Sequence, residues 1–317
     1  GSTNGWIPNS DIANALTPSA TATQLAMFAY GDSGNDGTPV SVKNLVNSSG
    51  VVASDVTGVG TARYGLAAAG YGDDKIVFAF GTDASANTNV KNLANNSGVI
   101  AADVSGVGTA RTNLAAATYG QDKAVFGYGE TSSYLSLKNL ANNVGVIAAD
   151  VSGVGTARAQ LAATGYGDLT AGTAMFAYGF TYDGSFNTFS LKNLVSNTGV
   201  IAADVTGVGT ARIGLAAARY STDRAVFAYG STANATHVSV SNKVAANGTI
   251  ASDTSGVGTA RRSLSAARYG GDKAVFAYGG GVVSLKNLVN NSGGFASDVT
   301  GVGTARNALA AAGYSMS

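Results

Sequence analysis

The stretch DVTGVGTARYGLAAAGYGDDKIVFAFG, residues 55–81, returns in similar form, most or all of it, five more times before the chain ends. Its segment GVGTAR closes at Arg63, Arg111, Arg158, Arg212, Arg261 and Arg306, with spacings of 48, 47, 54, 49 and 45 residues. Eight residues before each arginine stands an aspartate: Asp55, Asp103, Asp150, Asp204, Asp253 and Asp298. Eight residues after it stands a tyrosine: Tyr71, Tyr119, Tyr166, Tyr220, Tyr269 and Tyr314. Self-similarity at this period marks a repeat architecture, in which each unit is one supersecondary element that buries its apolar faces against its neighbours.

Each unit divides into four short segments of strand character: GLAAAGYG at 65–72, KIVFAFG at 75–81, then one like VSLKNLV at 283–289 and one like GVIAADV at 199–205. Clusters such as NSSG and NNSG between third and fourth supply the left-handed conformations that hairpin turns demand. Four antiparallel strands in one such period describe a propeller blade. The expected fold is therefore all-β, a six-bladed β-propeller of four-stranded antiparallel blades. Alanines suit the innermost strand, where blades crowd the axis, while Phe28, Phe78, Phe126, Phe176, Phe227 and Phe276 on the second strand read as core between sheets.

The register is offset. Second strands begin with QLAMFAYG near the N-terminus, whereas the last first strand ends at Tyr314 with no second strand after it. Pairing the N- and C-terminal strands in one blade closes the ring and removes an exposed edge. Residues 1–22 then form an N-terminal arm and 23–317 the propeller. A degenerate first strand competes for the same slot, with Leu16 at the Leu66 position, but it has Ala13 in place of the arginine, Thr21 in place of the tyrosine, and Pro18, which removes a ladder donor.

The connection from aspartate to arginine never changes length. Each aspartate is expected to accept from turn N–H groups or to pair with an arginine of its own or a neighbouring blade, locking blade to blade, rather than to line a channel mouth with charge. Lys43, Lys91, Lys138, Lys192 and Lys286, each followed by Asn, take the same structural reading; in the fifth copy the lysine moves two residues, to Lys243, and keeps its strand face.

Little chemistry is on offer. The chain has 19 basic and 18 acidic residues, a formal charge of +1, so no summed field draws it to nucleic acid or an anionic membrane. It contains no Cys and one His, His237, which excludes thiolate metal sites, a His-rich metal site and a catalytic His pair. GVGTAR lacks the Lys-Ser/Thr of a phosphate loop and opens a strand. In GDSGNDG, Asp32, Asn35 and Asp36 have incomplete calcium-loop spacing and read as a turn. Sequons at Asn47, Asn95, Asn247 and Asn290 belong to the repeat's own turns, with a fifth at Asn234. No window approaches the ~18 apolar residues of a membrane helix. No cofactor or metal is expected, and no enzyme activity; Asp183 and Glu130 are the carboxylates an enzyme would have to use.

Arginine, an apolar first strand ending in tyrosine and then DKAVFAYG resembles the kelch repeat of β-propellers, over nearly all of the chain after residue 22. Kelch repeats carry a glycine pair and a later tryptophan; here only Gly279 and Gly280 resemble the pair, and Trp6 is the sole tryptophan. The copper radical oxidases among kelch-like propellers imply a Cys–Tyr crosslink and His ligands, which this chain cannot assemble. The near-identical Ala/Gly-rich copies also resemble kelch-like structural proteins of tailed-phage particles. That resemblance implies a non-enzymatic structural or adhesive part of an extracellular assembly, a virion or tail component.

Function is expected where copies diverge, in the loop from second to third strand. It reads DSGNDGTP, TDASANTN, ETSSY, FTYDGSFNTF, STANATH and a bare GG. The fourth is the most elaborate, and with the third it supplies the candidate binding residues Phe180, Tyr182, Asp183, Phe186, Phe189 and Tyr134. Aromatics beside polar groups suit either sugar rings or a protein surface, so the expected partners are other proteins of an assembly or a cell-surface glycan. A free carbohydrate-binding lectin is the alternative, and it calls for ligand residues repeated from blade to blade.

Overall fold

A computed structural model describes residues 23–34, 36–233 and 235–316. The expected arm at 1–22 lies outside the described residues, as do Asn35 and Asn234. The strands are β1 (Thr23–Ala29), β2 (Lys43–Val46), β3 (Ala67–Tyr71), β4 (Lys75–Ala79), β5 (Lys91–Ala94), β6 (Ala115–Tyr119) and β7 (Lys123–Gly127). They continue with β8 (Lys138–Ala141), β9 (Ala162–Tyr166), β10 (Thr173–Ala177), β11 (Phe180–Tyr182), β12 (Phe186–Thr188), β13 (Lys192–Val195) and β14 (Ala216–Arg219). The last are β15 (Ala225–Ala228), β16 (Ser241–Val244), β17 (Ser265–Tyr269), β18 (Lys273–Ala277), β19 (Lys286–Val289) and β20 (Ala310–Met316).

These form six three-stranded antiparallel sheets, β3-β4-β5, β6-β7-β8, β9-β10-β13, β14-β15-β16, β17-β18-β19 and β20-β1-β2, with β11-β12 as a separate hairpin. The sixth sheet joins the two ends of the chain, with Leu25 opposite Tyr314 and Phe28 opposite Ala311. The C-terminal strand therefore takes the slot for which the degenerate Leu16 segment competes.

The second strand of each sheet is central and buried on both faces, which is why KAVFA reads as continuous apolar sequence rather than alternation. The first strand alternates: Ala67, Ala69 and Tyr71 are buried between sheets, while Ala68 and Gly70 are half exposed. Six hydrophobic clusters result, each between consecutive sheets, from the β1 and β3 sheets to the β17 and β1 sheets. First strands touch in the order β20, β3, β6, β9, β14, β17 and β20 again.

Just ahead of the first strands, six residues in the left-handed region, Gly65, Asn113, Gln160, Gly214, Ser263 and Ala308, have φ of 50–62°. Each N–H donates to the carbonyl of the one before it, at 2.6–2.9 Å, and Gly65 donates to Ala308, so the cycle returns to its start. Beside it stand Leu66, Leu114, Leu161, Leu215, Leu264 and Leu309, all nearly buried.

The expected fourth strand is not regular. Segments like GVIAADV meet the third strand through two isolated bridges, such as Lys91 with Val104 and Ala94 with Ile100. Between them the Asn92 side chain donates to Ala101 O at 3.0 Å and to Asp103 Oδ1 at 2.8 Å, occupying positions that ladder bonds would need. Three strands and a tethered outer segment therefore replace the four-stranded unit.

Candidate functional site

The repeated charges build the frame. Arg63, fully buried, donates from Nε to Phe80 O at 3.0 Å, from Nη1 to Thr61 O at 3.1 Å and from Nη2 to Asn92 Oδ1 at 2.7 Å. Asp103 accepts from Asn92 and from the Thr61 N–H and hydroxyl, the last at 2.6 Å. Burial disfavours its charge, but the Thr61 and Asn92 donors and the Arg63 charge outweigh that and hold the carboxyl below its ordinary range. The same aspartate–threonine–asparagine chain occurs at Asp55, Asp150, Asp204, Asp253 and Asp298. It ties the outer segment of a sheet to the loop leading into the first strand of that same sheet, so of the two options these links take the one within a unit and do not lock one sheet to the next.

Other groups make the crossing. Arg63, Arg111, Arg158, Arg212, Arg261 and Arg306 each lie 4.2–4.4 Å over an aromatic ring of the preceding sheet: Tyr30, Phe80, Tyr128, Tyr178, Tyr229 and Tyr278. Those aromatics have φ of 64–67°, unusual for bulky side chains. Five fix the ring with a phenol bond to a valine carbonyl of the GVG loop, such as Tyr30 to Val59 O at 3.0 Å. The loop's glycines are obligatory: a Cβ at Gly58 would lie 1.2 Å from Ser41 O, and at Gly60, whose φ is +87°, 2.2 Å from Asp103. The lysines cross too. Lys43, Lys91, Lys138 and Lys192 donate to Gly98, Gly145, Gly199 and Gly248, and Lys286 reaches Gly50 at 3.0 Å. Lys243 makes the equivalent bond to Ser292, as its shared strand face requires.

The elaborated fourth loop is the β11–β12 hairpin. Its base is set by mutual backbone bonds between Phe180 and Ala159, both 3.0 Å, which bury Phe180 against Ala159, Ile213 and Tyr134. Register places Tyr182 opposite Phe186. Phe186 stacks on Phe180 with centroids 4.7 Å apart and 19° between planes, and Tyr134 meets Phe180 edge-on at 5.4 Å. The stack thus climbs from the buried Phe180 to the exposed Phe186, at 41%, and Tyr182, opposite it in register, is exposed at 59%. Asp183 is used by the tip: its Oδ1 accepts from Ser185 N and from Asn187 Nδ2 at 2.9 Å, with Gly184 at φ +102°. Phe189 is half buried, its N–H donating to Gly179 O, and it joins no ring contact among the described residues. Of the six candidates, Tyr134, Phe180 and Phe186 are in ring contact, Tyr182 faces Phe186 across the hairpin, Asp183 shapes the tip, and Phe189 stands apart.

The remaining candidates are committed to turns. Asp32 accepts from the N–H groups of Gly34, Gly37 and Thr38, leaving a turn rather than a cation loop. Burial raises the Glu130 carboxyl, against the pull of a 2.6 Å bond from Asn113. His237 is exposed, 3.3 Å from Ser231 Oγ. Among the described residues no group of three or more His, Cys, Asp or Glu could hold a metal, and no helix is long and apolar enough to cross a membrane.

Sequence reasoning missed one feature. Beyond the leucines the first strands surround a cavity of about 370 Å³, lined mostly by alanine and glycine and holding Arg219 and Arg268. The signal is present: AAARY at 216–220 and SAARY at 265–269 stand where other copies read AAAGY, AAATY or AATGY. No protein-family model matches the chain, and no curated protein sequence matches it.

Proposed function

We propose that residues 23–317 form a closed, kelch-like six-bladed β-propeller, carried behind an arm at 1–22, that serves as a non-enzymatic structural or adhesive module. Its setting is an extracellular assembly, a virion or tail component of a tailed phage. It engages a receptor or neighbouring protein through the loops of one face, chiefly the β11–β12 hairpin.

The cycle of six backbone bonds, the terminal strand pair and the Lys286–Gly50 link support ring closure. The observation that carries the binding role is the single aromatic hairpin: one copy in six is elaborated, and it leaves Tyr182 and Phe186 exposed on a rigid base. Exposed, pre-ordered rings bind sugar faces or protein surfaces with little entropy to lose. A lectin with a site in every blade is disfavoured, because the repeated polar side chains are consumed within the frame.

A glycan-array and whole-cell binding screen of the purified chain tests the reading, run beside the Tyr182→Ser, Phe186→Ser double variant. Binding that the variant loses at an unchanged melting temperature supports adhesion through the hairpin. Binding unaltered in the variant sinks the hairpin assignment, and no binding by the parent chain sinks adhesion to cells.

A further inference from the structure

The cavity inside the ring of first strands is built asymmetrically. At the position corresponding to Gly70, Thr118, Gly165 and Gly313, the neighbouring strands β14 and β17 carry Arg219 and Arg268. Deeper along the strands the wall is Ala68, Ala117, Ala217 and Ala266, and beyond these lie the leucines and the hydrogen-bond cycle. The result is a cup with a largely apolar wall, two guanidinium groups near the mouth, and Thr118, Gln24 and Gln121 around them. The mouth lies at the Tyr71 end of the strands, away from the aromatic hairpin.

Neither arginine makes an ion pair among the described residues. Arg219 donates to the carbonyls of Thr222, Tyr166 and Gly167, and Arg268 to that of Gly271. Arg268 Nε is buried with no hydrogen-bond partner. Burial, reinforced by the charge of Arg268, pushes Arg219 down to about 10, while Asp168 and Asp223 pull the other way. Asp272 acts similarly on Arg268, and Asp73 stands exposed at the rim. Two like charges lining one recess, with no carboxylate paired to either among the described residues, are a standing cost that an anion removes.

We propose that the cup binds a small organic carboxylate with a short apolar body, its carboxylate on Arg219 and Arg268 and its chain against the alanine wall. Guanidinium forks match a carboxylate, and the absence of charge deeper in the cup favours an apolar tail over a second anionic group. This site is independent of the hairpin and of the role proposed for it.

Calorimetric titration with hexanoate tests it, with hexanamide and inorganic phosphate as comparison probes. Variants Arg268→Thr and Arg219→Thr reproduce the residue that β6 carries naturally at this position, so the strands accept the change; circular dichroism confirms folding. Hexanoate binding is expected to exceed that of hexanamide and phosphate at least tenfold, to fall at least tenfold in Arg268→Thr, and to vanish in the double variant. Absent binding, equal binding of hexanamide or phosphate, or affinity unchanged in a folded Arg268→Thr variant would overturn the assignment.

Discussion

Replacing Arg158 with methionine should destabilise the protein more than the same change at Arg111, although the two arginines occupy equivalent places. Arg158 is fully buried and donates to Tyr178 O at 2.7 Å, Thr156 O at 3.0 Å and Asn193 Oδ1 at 2.7 Å. It lies 4.3 Å over Tyr128, whose phenol is tied to Val154 O at 3.1 Å. Methionine orphans the Tyr178 and Asn193 acceptors, at about 1–3 kcal/mol each, and forfeits a cation–π contact of about 1 kcal/mol. The side chain refills part of the volume, so the expected loss is about 3–5 kcal/mol, the range for removing one member of a buried charged pair. Arg111 retains the bonds to Tyr128 O and Thr109 O, but its Nη2 and the facing Asn139 Oδ1 have no partner, and its ring is Phe80, with no phenol to tie. Burial takes this guanidinium down to about 10, against the opposing charge of Asp150. With one fewer bond to break, Arg111→Met should cost about 1–2 kcal/mol less. Urea denaturation followed by circular dichroism reads the difference as separate midpoints at equal slope. Equal losses, or a larger loss at Arg111, would refute the view that these bonds set the stability of each unit.

The remaining predictions use the same frame. Phe80→Tyr should give the second copy the phenol bond its siblings make and raise stability by about 1 kcal/mol; a lowered urea midpoint would show that the site cannot seat the hydroxyl. The six repeat aspartates are held below the ordinary carboxylate range, so the stability they contribute is present above the unfolded-state value near ~4 and is lost as pH falls through the folded-state values. Burial pushes the Tyr30, Tyr128 and Tyr229 phenols up from 10.0 to about 12, so their contribution is intact below 10 and is lost as pH rises toward 12. The thermal midpoint should be flat between these windows and drop in each, and a profile level down to about pH 2.5 would contradict the acid arm. Deleting residues 310–317 strips β1 of its first-strand partner and should produce an aggregating chain by light scattering; a monomer of unchanged melting temperature would show that terminal pairing is dispensable.

The sheets were legible in the sequence because each structural demand is written six times: small residues where first strands converge, a continuous apolar run on the central strand, and turns closed by glycine after polar residues. The pairing of the N- and C-terminal strands followed from the offset between first and second strands, while its register, Leu25 opposite Tyr314, is seen only in the structure. The irregular outer segment was not legible, because GVIAADV has ordinary strand composition and what interrupts it is the Asn92-type side chain of another segment, reaching across. The aspartates' hydrogen bonds stay within their own sheet, which the sequence left open, since intervals along the chain do not say which sheet a loop returns to. Composition pointed to Tyr182 and Phe186, whereas Asp183, chosen for its charge, serves the turn that presents them.

Arg219 and Arg268 were overlooked for a related reason. A search tuned to what recurs discounts the residue that breaks the pattern, yet in a repeat protein the repeated side chains are consumed in holding units together. An arginine in place of glycine or threonine on the innermost strand has no frame bond waiting for it: Arg268 leaves Nε unpaired, and Arg219 turns to carbonyls of the neighbouring sheet. The hairpin and the cup are both departures of this kind, one at each end of the first strands. Either can be altered by borrowing the residue or loop of a sibling copy, which separates a change in binding from a change in fold.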